Sequence, residues 1–373
     1  MKVAVLTNSL EPAAGGWARY SREVVRALAR AGHEVVVYTE GPKKSVIDFE
    51  GVPVYSGLRT GTGMNLQNIV KSVFDILWLK GRLGTCDVAH AFVEHHAFAA
   101  SHLGVPYFVT GHGTYIPRFA SNRLFWLLGG SAFIRAARIF FVSDFTRARA
   151  IEKVPTLASV AEFIPNGVDT IQFRPTTIPD PHHPYVITVG ALKPRKGQDL
   201  VVEALIALRA TCPNLRYRMV GDTRGGEAFV EKLKSRAEEG NVSSQIEFLH
   251  DISDEEMIHL YSASLMCLLP SRTDASGAFE GFPLSLLEAA ACGTPILGTY
   301  GVGAEHLIEV GKNGFLVEEE DSEGIADAMR TLYENPSKRG VFGKAARVSA
   351  EQFSWDAHGA ALIREYTVWK QHS

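Results

Sequence analysis

Cysteine is scarce in this chain: four occur in 373 residues, at positions 86, 212, 267 and 292. They lie far apart, and none has a second cysteine at metal-ligand spacing. A disulfide scaffold is therefore excluded, and the four read as reduced and mostly buried. Long apolar runs are also lacking. The longest candidate, Leu124 to Val142, is broken by Gly129, Gly130, Arg135 and Arg138, so no segment reaches bilayer-spanning length. Met1 to Leu6 run straight into an apolar strand, without the charged start and cleavage site of a signal peptide. A cytoplasmic location is expected, compatible with a peripheral place at the inner face of a membrane. Several motifs are missing as well. There is no G-x-G-x-x-G fingerprint, no Walker loop, no G-x-S-x-G elbow and no Asp-x-Asp pair in a plausible site. No metal is required on this reading. No low-complexity segment or short repeat occurs.

What is present suits a two-domain globular protein. Net charge is −3 but unevenly placed. Met1 to Val168 hold 18 Lys/Arg against 12 Asp/Glu, a net of +6, and the remainder 20 against 29, a net of −9. Such asymmetry fits either an anionic surface or acceptor met by the first half, or a solvated imbalance without a partner. Strands and helices alternate throughout. Lys2 to Thr7, His33 to Thr39, Val88 to Phe92, Tyr107 to Thr110 and Ile139 to Val142 read as strands, with a helix from about Ala18 to Ala31. Ile164-Pro165-Asn166-Gly167-Val168-Asp169 marks a break, and Phe173 to Pro184 reads as a linker. Strands resume at Tyr185 to Val189, Leu215 to Val220, Ile246 to Leu249, Leu265 to Leu269, Thr294 to Gly298 and Gly314 to Val317, with a helix over Gly197 to Thr211. The expectation is α/β: two doubly wound domains, with ligands at the carboxyl ends of parallel strands. The last helix, about Trp355 to Lys370, could pack on either domain.

Five places can carry chemistry. Gly15-Gly16 after the first strand permits close backbone approach to a ligand, or is merely a tight turn. His112, between Gly111 and Gly113 at a strand end, would expose an imidazole able to donate a hydrogen bond to a sugar hydroxyl or phosphate; a structural role is about equally expected. Arg195 and Lys196 stand between a strand end and a helix start, where an Arg fork and a Lys point charge would stabilise a departing diphosphate. Glu280 precedes Gly281-Phe282, whose free amides would sit at a helix N-terminus, with Pro283 suited to the first turn of that helix. Glu280 is unpaired in sequence, which suits sugar hydroxyls rather than phosphate. Glu288, about two turns further, can accept both hydroxyls of a ribose, and the apolar sequence around it disfavours an idle buried charge. Glu318-Glu319-Glu320-Asp321 reads as a solvated helix start.

Together these residues resemble glycosyltransferase family four, the retaining family with the GT-B fold. The carriers are Gly15-Gly16, Thr110-Gly111-His112-Gly113-Thr114, Ile164 to Asp169, Gly190 to Gly197, Val220-Gly221-Asp222, and the E-x7-E pair Glu280 and Glu288. Gly293-Thr294-Pro295-Ile296 and Asn313 to Val317 also match. The resemblance implies two Rossmann-like domains facing each other across a cleft. The acceptor-side domain would be residues 1–168 plus 355–373, and the donor domain 169–354. It implies donor-binding positions at Gly15, Gly16, Gly190, Arg195, Lys196, Gly221, Glu280, Gly281, Phe282, Leu284 and Glu288. Arg195 and Lys196 would hold the diphosphate, Glu280 the sugar, Glu288 the ribose, and the amides of Phe282 and Leu284 the phosphates. Gly16 would lie beside the phosphates and His112 beside the transferred sugar. The segment Ser271 to Phe279 is longer and more polar than the common family pattern, and Pro283 stands where glycine is frequent.

The implied activity is transfer of a hexose, with retention, from a UDP- or GDP-linked sugar to a hydroxyl acceptor: a lipid-linked sugar, polysaccharide or glycolipid precursor, or a small molecule. The nucleotide sugar is a co-substrate, no cofactor is required, and no nucleic-acid partner is expected. The basic first half, with Trp78, Lys80, Arg82, Arg118, Arg123, Phe125 and Trp126, could dock on an anionic membrane, or be core helices with basic rims. Alternatives are a nucleotide-sugar epimerase or a phosphorylase on the same fold, and a non-catalytic sugar-nucleotide-binding subunit.

Overall fold

Strands that are apolar on both faces are buried on both faces, and this governs each half of the chain. The computed structural model describes all residues except 12–14, 43–45, 62–65, 181 and 372–373; Pro181 of the expected linker and the last two residues of the expected first domain lie outside the described residues. The chain divides into two units, Met1–Gly167 with Trp355–Ser373, and Val168–Ser354.

The first unit is built on eight strands: β1 (Lys2–Thr7), β2 (Glu34–Glu40), β3 (Ile47–Phe49), β4 (Val52–Leu58), β5 (Val88–Ala91), β6 (Tyr107–Gly111), β7 (Arg138–Phe141) and β8 (Ala161–Phe163). Their spatial order is β3-β4-β2-β1-β5-β6-β7-β8. All pairings are parallel except β3 with β4. That hairpin and β8 are absent from the sequence expectation. Pro53 interrupts the β signal of β4, and β3 and β8 are three residues each. Val3, Val5 and Leu6 of β1 are wholly buried. The chain runs outward one way from β1 and the other way from β5, so the carboxyl ends of these two adjacent strands form the switch point where ligands bind in such sheets.

The helix Gly16–Arg30 buries Ala18, Tyr20, Ser21, Val24, Val25, Ala27 and Leu28, a three-and-four spacing that makes one apolar stripe. The final helix, Trp355–Gln371, packs against it within the first unit. Its fixing contacts are polar and buried. The His358 Nδ1–H donates to the Pro165 carbonyl at 2.7 Å, and Tyr366 hydrogen-bonds His90 through its hydroxyl. Buried polar groups need such partners, so the open choice left by the sequence is settled by complementary hydrogen bonds as much as by apolar area.

The second unit carries β9 (Tyr185–Val189), β10 (Arg216–Val220), β11 (Ile246–Leu249), β12 (Cys267–Leu268), β13 (Ile296–Thr299) and β14 (Gly314–Val317). They form one parallel sheet in the order β11-β10-β9-β12-β13-β14. The switch point falls between β9 and β12. The loops leaving those strands carry Arg195, Lys196 and Glu280.

Candidate active site

After β9 the chain makes a single tight turn, Pro194–Lys196, and enters the helix Gln198–Leu208. Gly197 between them has φ +72°, and a Cβ there would meet the Pro270 carbonyl oxygen at 2.0 Å. Only glycine fits, because the left-handed turn is pressed onto the loop leaving β12. That contact brings the two loops together. The Arg272 amide donates to the Arg195 carbonyl at 2.9 Å. Arg272 itself is held by Asp199 and Glu320 at 3.1 and 2.6 Å.

The side chains then converge. Lys196 Nζ donates to Glu280 Oε2 at 2.6 Å, and Arg195 Nη1 to the same oxygen at 3.0 Å. Glu280, unpaired in sequence, is therefore paired in the fold. Its two partners lie 84 and 85 residues away in the chain. Burial alone would raise the Glu280 carboxyl, but the Lys196 and Arg195 cations outweigh it and hold the carboxyl below the ordinary carboxylate range. Two cations on one carboxylate leave a net charge of one positive unit in a part-buried pocket of the loop. Such a centre has the charge and the oriented donors to attract an anion.

Beside it lies the start of the helix Leu284–Ala291, with Pro283 at the N-cap rather than inside the first turn. No backbone hydrogen bond from the Gly281 or Phe282 amide is found among the described residues. The Glu280 carbonyl accepts from the Gly303 amide at 3.0 Å, which fixes this stretch from behind. Glu288 sits in the second turn, 7% exposed, and its Oε2 accepts from the Tyr261 hydroxyl at 3.2 Å. Gly190 and Gly221 close the same edge. A Cβ on Gly221 would strike the Gly190 carbonyl oxygen at 2.0 Å, so these two strand ends are packed backbone to backbone. The acidic run is more than a solvated helix start. Asp321 caps the helix Ser322–Glu334, while Glu319 accepts from the Thr273 amide and hydroxyl at 2.9 and 3.0 Å. It thereby pins the polar Ser271 to Phe279 loop.

In the first unit, Gly15 precedes the helix after β1 and Gly16 begins it. His112 follows β6, half-buried. Its Nε2 lies 2.7 Å from the Phe92 carbonyl oxygen, so Nε2 carries the proton. Burial lowers its pKa to about 4, leaving the ring neutral and Nδ1 a lone-pair acceptor. The expected polarity is therefore reversed: this imidazole can accept a hydrogen bond from a sugar hydroxyl but cannot donate one there. Tyr20 meets the ring edge-on at 4.6 Å, and the His112 amide donates to Glu94 Oε1 at 2.8 Å. Glu94 is 3% exposed, and burial raises its carboxyl pKa.

Glu94, His95 and His96 form one helical turn directly after β5 and were not singled out in the sequence. The signal was there: three ionisable residues inside the apolar run Ala91 to Ala100. Among the described residues, Glu40, His95 and His96 are the one group that could hold a metal ion.

The model of the glycosyltransferase family 4 matches residues 14–172, and that of the glycosyl transferases group 1 matches residues 169–349. The chain belongs to this family. Among relatives, a GDP-mannose-dependent alpha-(1-6)-phosphatidylinositol monomannoside mannosyltransferase of Mycolicibacterium smegmatis is 31% identical over 237 residues, which are 60% of this chain and 60% of that protein. A D-inositol 3-phosphate glycosyltransferase of Pseudarthrobacter chlorophenolicus is 28% identical over 95% of this chain and 90% of its own length. The chain thus spans 60% of the length of the mannosyltransferase relative. Among solved structures, a sucrose-phosphate synthase from Thermosynechococcus elongatus matches with a TM-score of 0.84 at 20% identity, over 100% of both chains. Anabaena HepE in complex with UDP and glucose matches at 0.77 and 19%, over 98% of this chain and 99% of that one. These likenesses show the GT-B fold of two Rossmann-like domains.

Proposed function

We propose that this family-four member is a retaining hexosyltransferase that takes its sugar from a UDP- or GDP-linked donor. The observation that carries the reading is the Arg195–Lys196–Glu280 triad, a net-positive centre at the β9/β12 switch point beside helix-start amides. In the transfer, the acceptor oxygen bonds to the anomeric carbon as the bond from that carbon to the diphosphate oxygen breaks. Attack from the leaving-group side retains configuration, and the acceptor proton passes to the departing diphosphate oxygen. Arg195 and Lys196 stabilise the charge that grows on that diphosphate, helped by the amides of Gly281, Phe282 and Leu284. Glu280 keeps the two cations aimed and accepts from sugar hydroxyls. Glu288, steadied by Tyr261, accepts from the ribose. His112 accepts from a hydroxyl of the transferred sugar through Nδ1. Gly15, Gly16, Gly190 and Gly221 permit close backbone approach. The transfer draws its positive charge from Arg195 and Lys196, and no cofactor is assigned to it.

GDP-mannose is the first donor to test, after the name of the mannosyltransferase relative, and UDP-glucose the second, since a structure of the same fold holds it. A glycolipid or inositol-containing acceptor is favoured by the names of the relatives. A thermal-shift panel of UDP-, GDP- and ADP-sugars, followed by donor hydrolysis and transfer assays on the best hit, tests this. Stabilisation by none of them overturns it. Isomerisation of a donor incubated alone would instead mark an epimerase, and binding without hydrolysis or transfer a non-catalytic subunit.

We also propose cytoplasmic, peripheral contact with an anionic membrane, with a correction to its anchors. Trp78 is buried at 9% exposure, and Phe125 and Trp126 are half-buried. The outward residues are aliphatic and phenyl: Val70, Phe74 and Leu77 on the helix Leu66–Lys80, and Leu124 and Leu127 on the helix Arg123–Gly129. Lys80, Arg82, Arg118 and Arg123 are exposed nearby in sequence. Among the described residues no helix is long and apolar enough to cross a membrane. Flotation with anionic vesicles at low salt checks the contact; absence of binding overturns it.

A further inference from the structure

Apart from the donor triad, a second cluster of ionisable side chains is gathered by the first unit. Glu40 ends β2, and His95 and His96 lie in the turn after β5; these two strands flank β1 in the sheet, and their ends bring together residues 55 and 56 apart in sequence. His95 Nε2 stands 3.0 Å from Glu40 Oε1, and His96 Nε2 stands 3.6 Å from the same oxygen. The ligand atoms of all three residues lie within 4.8 Å of one another. The two imidazole side chains are 2% and 0% exposed, while Glu40 keeps 29%.

An independent observation concerns His96 alone. Neither of its ring nitrogens has a hydrogen-bond partner, although the residue is completely buried. A buried imidazole with both nitrogens idle is costly, since each has surrendered its water without replacement. Its Nε2 faces a carboxylate just beyond hydrogen-bond range and an imidazole that faces the same carboxylate.

We propose that Glu40, His95 and His96 form a binding site for a divalent transition ion of the zinc class. Tetrahedral zinc bonds imidazole nitrogen and carboxylate oxygen at about 2.0–2.2 Å, so two of its ligand atoms stand roughly 3.3 Å apart. The two measured separations, 3.0 and 3.6 Å, straddle that value. Two nitrogens with one oxygen select zinc, cobalt or nickel over magnesium and calcium, which take oxygen. The exposed part of Glu40 provides the side from which an ion enters, and a water completes the coordination. The ion clamps the end of β2 to the turn that carries Glu94, whose carboxylate holds the His112 amide. It is a positioning element for that loop and takes no part in the sugar transfer proposed above.

The test uses the untagged full chain, stripped of metal with a chelator and then titrated with Zn²⁺ against a chromophoric competitor. One site per chain is expected. Glu40→Gln, which keeps the side-chain shape at a part-exposed position, and His95→Gln should each weaken binding by roughly tenfold or more, since loss of even an outer-shell partner costs about 10–100-fold. Thermal unfolding in chelator checks that both variants fold like the parent. X-ray absorption at the zinc edge should show imidazole nitrogen and oxygen neighbours. No binding by the parent, equal affinity in parent and Glu40→Gln, or sulfur neighbours at the zinc each overturn the assignment.

Discussion

Replacing Lys196 by alanine removes one of the two cations on Glu280. The residual pair, Arg195 with Glu280, is neutral, so the centre falls from one net positive charge to none. The lost ammonium was well placed: its side chain is 16% exposed and 2.6 Å from the carboxylate. At an effective dielectric of about 20, a unit charge about 4 Å from a phosphoryl oxygen is worth roughly 4 kcal/mol. Removing one such group from the place where transition-state charge develops costs about 2.7–4 kcal/mol elsewhere, or ~10²–10³ in kcat. A fall of that order in kcat is expected for Lys196→Ala, with a smaller fall for Lys196→Arg. Glu280→Gln separates binding from catalysis. It raises the net charge of the centre, so the nucleoside diphosphate should bind more tightly while turnover drops, because the cations lose their aim and the sugar its acceptor. Release of nucleoside diphosphate from the best donor gives the rates, and calorimetry with the free diphosphate gives the affinities. Wild-type turnover by both Lys196→Ala and Arg195→Ala would refute the charge argument.

Three further outcomes follow from single contacts. Tyr261→Phe strips Glu288 of its hydroxyl donor; a neighbouring hydrogen bond to a charged group is worth about 1.5–3 kcal/mol, so donor KM should rise on the order of tenfold with kcat nearly kept, and an unchanged KM would remove Glu288 from the nucleoside site. Gly197→Ala forces a Cβ toward the Pro270 oxygen at positive φ, at a cost of about 1–3 kcal/mol; a lowered thermal midpoint together with weakened donor binding is expected, and a neutral effect would contradict the close approach. His358 is 3% exposed, and burial lowers its pKa from 6.5 to about 4. The unfolded chain therefore binds its proton first as pH falls, so stability drops between pH 6.5 and about 4, by roughly 3 kcal/mol at about 1.4 kcal/mol per unit. Urea midpoints across that window should decline for the parent and decline less for His358→Gln; parallel curves would count against it.

The ladder of apolar segments was legible because buried parallel strands announce themselves. Lys2–Thr7, Tyr185–Val189, Ile246–Leu249 and Gly314–Val317 begin and end where the residues suggest. The β3–β4 hairpin was not legible. Its turn uses Glu50 and Gly51, both at positive φ, and a glutamate is an unusual residue for that conformation. The two-residue strand β12 is shorter than the apolar run Leu265 to Leu269 that contains it, because pairing rather than hydrophobicity sets its length. At the candidate site the same limit applies with more force. Arg195, Lys196 and Glu280 could each be picked out by position, but the contact of Glu280 with both cations spans more than eighty residues, and nothing local in the chain encodes it. His112 is the sharper case. Its tautomer depends on the Phe92 carbonyl, twenty residues away, and that partner reverses the direction of the hydrogen bond it can make.

The pairing of Glu280 also explains how an acidic residue can stand in the anion site proposed above. Two cations held side by side without a donor would repel one another and swing into water, since long basic side chains carry much rotamer freedom. The carboxylate offsets that repulsion and fixes both heads on one oxygen. Because burial works against its charge while the cations support it, Glu280 depends on them as much as they depend on it. An arriving diphosphate brings its own negative charge to the same cations. Each cation can then turn part of its hydrogen bonding from the carboxylate to the phosphate, which frees Glu280 oxygens for the hydroxyls of the attached sugar. A nucleoside diphosphate without sugar satisfies the cations but leaves those oxygens short of partners. Glu280 should therefore discriminate between the two. In the parent, donor sugar should add affinity over the bare diphosphate, and in Glu280→Gln that increment should shrink or change sign. Calorimetric titration of both ligands into both proteins measures it, and an increment unaffected by the substitution would detach Glu280 from the sugar.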